Sequence, residues 1–324
     1  MKMQYLNAAE PEKTIPAQLE TGKNFIRPEK RRADLQRTIT GYIFLSPVIL
    51  GILIFTLGPV LYSLIVSFTD YVFLQEETFQ WNNFANYINM FQISTFTKSI
   101  GFTFKYAFVS VPVSMCASFF LAYALNKKFC GMKIFRAIFY LPVIIPVVAS
   151  SIIFKDMFAQ MGIINEFIYR LGFDQIDFFG TGTRAFITLI IYSLWGAGGS
   201  MLLWLAAFNS VSASYYESAE LDGANAFVKL FWITLPMVTP MIFYNLVTSI
   251  ISSMQAFTQI YMLTQGGPTE DTMTLVFTVY NYGIKYREIG QASSMAWFLF
   301  VIIFGMTAVV FKTNKWVYYE GGAM

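Results

Sequence analysis

Histidine is absent from all 324 residues, and cysteine occurs only twice, at Cys116 and Cys130. Without histidine the chain can build neither a Cys–His zinc cluster nor a Ser–His nucleophile. One cysteine lies in an apolar run and the other in a short basic loop, so both read as free thiols rather than a bridge. Charge is scarce too: 13% of residues are charged, against about 25% in soluble domains. The net charge of +3 gives no sign of a nucleic-acid partner. No G-x-x-x-x-G-K-[ST] phosphate loop occurs. If ATP energises this protein, another chain must bind it.

Apolar sequence fills the space that charge leaves. Hydrophobic residues make up 56% of the chain, including 34 Phe and 19 Tyr, and the mean hydropathy is +0.53. That is more apolar surface than one aqueous core hides, which makes lipid the expected solvent. Crossing roughly 30 Å of hydrocarbon takes about 20 residues. Six runs qualify, near 41–68 (GYIFLSPVILGILIFTLGPVLYSLIVSF), 103–125, 134–154, 184–208, 233–258 and 292–311. Prolines 59, 112, 142, 146, 236 and 240 fall within or at the ends of these runs, which packed membrane helices tolerate.

Residues 1–40 carry eight Lys and Arg ahead of the first apolar run. An apolar region this late is unlike a cleaved signal, and the segment reads as a cytoplasmic tail. The basic residues Lys127, Lys128, Lys133 and Arg136 lie between the second and third runs, Lys229 between the fourth and fifth, and Lys312 and Lys315 at the C-terminus. Alternate loops are richer in acids. The bias predicts that both termini face the cytoplasm, with 41–312 as the membrane domain and 313–324 as a second tail. Among the outer segments, 155–183 has the apolar spacing of a helix lying along the interface. Residues 259–291 hold a Gly–Pro turn and a second amphipathic stretch.

All 19 acids can be placed outside the six apolar cores. Proton-driven carriers usually hold an ionisable group at membrane depth, so proton coupling is disfavoured. A sodium site of carbonyls and hydroxyls stays open, and with it an ion-coupled secondary transporter of a small neutral solute. A membrane enzyme lacks the acid–base groups it would need.

Between the fourth and fifth runs lies YYESAELDGANAFVKLFWITLP, residues 215–236. Ser214 to Glu217 has the spacing of a capping box, which predicts a short helix over Tyr215–Leu221. Asp222-Gly223 then supplies a stop, with glycine free to turn left-handed. A second helix is expected from near Ala224 into the fifth span. The object predicted is a short cytoplasmic helix joined rigidly to a transmembrane one.

The same stretch resembles the E-A-A-x3-G-x9-I-x-L-P pattern of the permease subunits of bacterial ABC importers. Here it reads Glu217-Ser218-Ala219, Gly223, Ile233, Leu235 and Pro236, with Ser218 the one departure among seven positions. The segments FRAIFYLPVIIPVVASSIIFKDMF, GIINEFIYRLG and FTQIYMLTQGGPTEDTMTL, and the ending KWVYYEGG, are similar to the carbohydrate-uptake branch, which includes maltose permeases. The resemblance runs from residue 41 to the end. It implies an all-α integral membrane protein of six transmembrane helices with the type I ABC importer permease fold. It further implies that Glu217, Ser218, Ala219, Asp222, Gly223 and Ala224 dock on an ATPase. The implied partners are a second permease, two ATPase subunits that hold ATP and Mg, and an extracytoplasmic sugar-binding protein. This chain itself would need no cofactor and would lie in the bacterial cytoplasmic membrane.

Family positions for the sugar path fall on Trp195, Gly196 and Gly199 in the fourth run and on Ser249, Ser252, Ser253 and Ala256 in the fifth. The spacing of three, four and three places that last set on one helical face. Asn245 and Gln255 are further polar candidates on the same helix. None is charged, which favours neutral cargo. Ala256 stands where the maltose permease has a polar residue. Serines in membrane helices also bond to their own backbone or to a neighbouring helix, and the small residues at 196–199 also suit close packing.

Overall fold

The computed structural model describes residues 28–127 and 130–318. The greater part of the N-terminal tail, Lys128 and Phe129, and the last six residues lie outside it. Contacts divide the chain into two units, one ending at Val60 and the other starting at Leu61. In the first, α1 (Pro28–Ile52) continues through a π-turn at Leu53–Leu57. The helix α2 (Gly58–Val66) comes next, and Thr38–Val66 is long and apolar enough to cross a membrane.

The second unit is organised around α3 (Ser94–Leu125), a single helix of 32 residues that starts nine residues before the apolar run. At 1.5 Å per residue it is about 48 Å long. It touches α6 (Gly182–Trp195), α7 (Ala197–Ser210), α9 (Thr239–Met254) and α11 (Leu275–Tyr280). The last helix, α12 (Ile289–Lys312), is a third unbroken candidate span.

Three expected spans are broken. The helices α4 (Met132–Ile144) and α5 (Val147–Met157) meet at 102°, α6 and α7 at 44°, and Ala226–Met237 and α9 at 67°. The three straight helices and three bent pairs amount to as many as six spans. The first bend has a local cause. Pro146 drives the residue before it out of the helical region, and Ile145 is extended at φ −72°, ψ 130°. Gly196 stands at the second bend, and Thr239-Pro240 opens the helix after the third.

At the α3 C-terminus, Leu125 clusters with Trp204, Phe208, Val211 and Leu230. Trp204 is 1% exposed and donates its indole N–H to Ser118 Oγ at 3.0 Å. Its ring meets Phe119 edge-on at 5.3 Å. Toward the other end of α3, Phe102, Tyr106, Phe154, Phe186 and Ile260 form a second core. The short α10 (Thr258–Leu263) belongs to this core. Between α5 and α6 the 155–183 segment holds one further helix, Ile163–Arg170. It is held by Asn165, whose amide donates to the carbonyls of Ala159 and Ile176.

Candidate functional site

At the Leu125 end of α3 the chain leaves α7 through buried Val211 and forms α8 (Ala213–Leu221). The helix begins two residues earlier than the capping-box spacing predicts. Ser212, extended, takes the N-cap position and no side chain caps the helix. Ser214 lies inside the first turn, with its hydroxyl against that of Ser212 at 2.9 Å. The anchoring of Val211 in the core fixes the exit of α7, so the first turn forms at once and the box does not.

The C-terminal stop is as the sequence predicts. Gly223 has φ +77°. Its N–H reaches the carbonyl of Glu220 at 3.0 Å, and the N–H of Ala224 reaches that of Ala219 at 2.8 Å. These two bonds make a Schellman motif, which satisfies carbonyls that the ending helix orphans. The next helix starts at Ala226 rather than near Ala224, because the turn consumes Ala224. Asn225 caps it, accepting from the N–H of Val228 at 2.9 Å.

Two cross-links tie α8 to the helix beyond the turn. Lys229 Nζ lies 2.6 Å from Glu220 Oε1, and the hydroxyls of Tyr216 and Thr234 are 3.0 Å apart. Glu217, Ser218, Asp222 and Gly223 are exposed, with Ala219 and Ala224 half-buried. All six predicted coupling residues thus share one helix and the turn that ends it.

Midway along α3 lies a cavity of about 350 Å³. Tyr106, Ser110 and Ser114 line it from α3, Tyr192, Ser193 and Trp195 from α6, and Ser249, Ser252 and Ser253 from α9. Gly196, Pro142, Val143, Ile145 and Ser150 complete the side where the bent pairs break. Some hydroxyls are satisfied within the wall. Ser150 and Ser151 both meet Tyr192 Oη at 3.0 Å, Ser114 donates to Ser193 at 3.1 Å, and Ser253 bonds the carbonyl of Ile250. Two buried donors of this wall lack a partner, Ser110 Oγ and Trp195 Nε1. Buried polar groups are almost always paired, so these two wall donors are free to bond a ligand's oxygens. No acid, lysine or arginine lines the cavity.

Five predicted path residues (Trp195, Gly196, Ser249, Ser252 and Ser253) line this cavity, and four do not. Gly199 packs against the Val143 side chain. Asn245, 2% exposed, donates to the carbonyl of Met241 at 3.0 Å. The helix ends at Met254, so Gln255 is its exposed cap and Ala256 is buried in the adjoining core. Sequence reasoning missed Tyr106, Ser110 and Ser114, whose spacing of four places them on one face of α3. It also missed Gln259, which lines the cavity from α10.

The family that this chain matches is one of transport permeases, not of enzymes in their own right. The chain belongs to the family described as binding-protein-dependent transport system inner membrane component, matched over residues 114–317. It is 37% identical to the probable ABC transporter permease protein YesP of Bacillus subtilis, over 93% of this chain and 98% of that one. It is 30% identical to the lactose transport system permease protein LacF of Rhizobium radiobacter, over 86% and 94%. Its fold is that of a bacterial alginate ABC transporter solved in complex with an alginate pentasaccharide-bound periplasmic protein. The TM-score is 0.78 at 23% identity, over 87% and 96% of the two chains. The chain is an ABC importer permease, and the ion-coupled secondary transporter is set aside.

Proposed function

We propose that this chain, paired with a second permease, forms the path by which a neutral sugar or oligosaccharide crosses the cytoplasmic membrane. The observation that carries the cargo class is the mid-helix cavity. It offers hydroxyls, aromatic faces and two unpartnered donors, with no charged side chain. A sugar presents apolar ring faces and many hydroxyls, which this lining complements without an ion pair. The relatives' names, which include lactose and alginate, support a carbohydrate. The absence of a cation in the lining favours a neutral one.

In this reading ATP and Mg are held by two separate ATPase subunits that dock on Glu217, Ser218, Ala219, Asp222, Gly223 and Ala224. An extracytoplasmic binding protein delivers the cargo. Both termini and α8 face the cytoplasm, as the positive residues direct.

The test is purification of the tagged chain from its native membranes with its partners, followed by reconstitution. Recovery of a second permease and an ATPase is expected, with saccharide uptake that requires ATP and is indifferent to ionophores. A left-handed backbone costs a side chain with a Cβ about 1–2 kcal/mol, so Gly223→Val should preserve ATP hydrolysis while cutting uptake about tenfold (about 1.4 kcal/mol of coupling). Uptake that survives without the ATPase and collapses with the ion gradient would sink the proposal.

A further inference from the structure

A second cavity, of about 500 Å³, lies at the other end of α3, within the roughly 300–1,000 Å³ usual for small-molecule sites. Its lining includes Thr95, near the start of α3, whereas Leu125 at the far end sits in the cluster beneath α8. The cavity is therefore remote from the coupling turn. It is also distinct from the mid-helix cavity. On α10, Gln259 lines the one and Tyr261 the other. Two residues turn a helix by about 200°, so α10 is a partition with a cavity on each face.

The chemistry of this second space is unlike the first. Glu270 enters it on a left-handed backbone (φ +65°), as does Gln265 (φ +53°). Its carboxylate is held from one side by Thr95 Oγ1, at 3.1 and 3.0 Å from the two oxygens, with Lys98 Nζ 3.9 Å away. The Glu270 side chain is still 42% exposed, so lone pairs remain for a ligand. Tyr261, Phe277 and Tyr280 form a mutually packed wall, with centroids 5.6–6.3 Å apart. Tyr282 and Tyr286, edge to face at 5.3 Å, complete the rim. Burial, and then the negative charge of Glu288, the Tyr286 phenol and Glu270, push the Tyr282 hydroxyl above its ordinary pKa. It stays a donor throughout the neutral range.

We infer that this cavity is a second saccharide subsite, in which Glu270 accepts from two adjacent ring hydroxyls while Tyr282 and Tyr286 cover an apolar ring face. Hydrogen bonds to an ionised acceptor are roughly twice as strong as neutral ones, so an anchored carboxylate beside aromatic rings suits the hydroxyls of a sugar, and Lys285, which also lines the cavity, adds a donor for its oxygens. The inference rests on the sugar-cargo reading above, and it places a station for cargo before the partition that α10 forms.

The test is carbene footprinting, read by mass spectrometry, of the complete transporter in nanodiscs without binding protein. Lactose, trehalose and maltose serve as millimolar probes. Protection of Tyr282 and Tyr286 at least twofold is expected. Glu270→Gln should abolish it while leaving protection of Tyr192 and Trp195 in the mid-helix cavity intact. Protection of Tyr192 and Trp195 alone would overturn the inference and leave the sugar-cargo reading standing. Protection at neither place would overturn both. If the Tyr282 and Tyr286 signal responds to sugar-free binding protein and not to sugar, the surface is a protein contact and the inference fails.

Discussion

Ser110 and Trp195 are the two residues whose loss should separate stability from function. Their polar atoms have no partner in the folded chain, and a buried unpaired hydroxyl costs about 1–3 kcal/mol. Ser110→Ala should therefore leave the melting temperature of the purified transporter unchanged or slightly raised. Its half-saturation concentration for cargo should rise several-fold, checked by thermal shift and uptake on one preparation. A lowered melting temperature would mean that the hydroxyl serves the helix and not the ligand.

Gly198 and Gly199 make a second pair. A Cβ on Gly198 would run into the carbonyl oxygen of Phe139, backbone that cannot give way, whereas one on Gly199 meets only Val143 methyls at 3.6 and 3.7 Å. Gly198→Ala should cost about 1–3 kcal/mol or more, seen as lost folded yield in size-exclusion chromatography. Gly199→Ala should be silent or gain up to about 1 kcal/mol in helix propensity. At this scale the sequence was a partial guide. Spacing placed Ser249, Ser252 and Ser253 together, but it extrapolated the helix to Ala256, beyond its end at Met254. Which glycine of 196–199 meets a neighbouring backbone is a tertiary fact that no local pattern carries.

The element that sequence described best is α8 with its turn. Glycine at the C-terminal stop acts through local backbone geometry, which spacing alone specifies; the Asn225 N-cap is equally local, but the expected start near Ala224 passed over it. The start of α8 was less legible, because the burial of Val211 determines it. The two cross-links that hold α8 on the next helix were not legible, since 9 and 18 residues separate the partners. The Lys229–Glu220 pair is partly exposed, so on its own it contributes at most about 1 kcal/mol. In Tyr216→Phe the Thr234 hydroxyl keeps its bond to the carbonyl of Lys229, and the cost is about 0.5–1.5 kcal/mol. Each single variant should support near-normal uptake. The double variant Tyr216→Phe/Lys229→Met should lose coupling, read as ATP hydrolysed per sugar imported. A double variant with wild-type stoichiometry would show that the turn alone transmits force.

For the molecule as a whole, hydrophobic runs located the helices, and basic residues gave a direction that labelling can check. Cys130 is exposed near the predicted cytoplasmic end, between the second and third spans. A membrane-impermeant maleimide should label it in inverted vesicles and not in intact cells. In a variant lacking native cysteines, Thr269→Cys should show the reverse. The broken spans were less plain: six prolines were visible, but only some of them break a helix. Pro112 lies inside unbroken α3, where the neighbouring helices support the backbone.

That unbroken helix has a mechanical consequence. Thr95, Ser110 and Leu125 mark three stations along one rod, each about 22 Å from the next at 1.5 Å per residue. A rod of about 48 Å that tilts by about 5° about its midpoint swings each tip by about 2 Å, in opposite directions. Ser110, near the fulcrum, hardly moves. Geometry alone then gives the two ends opposed displacements while the mid-helix cavity stays nearly still, like the pivot of a balance beam.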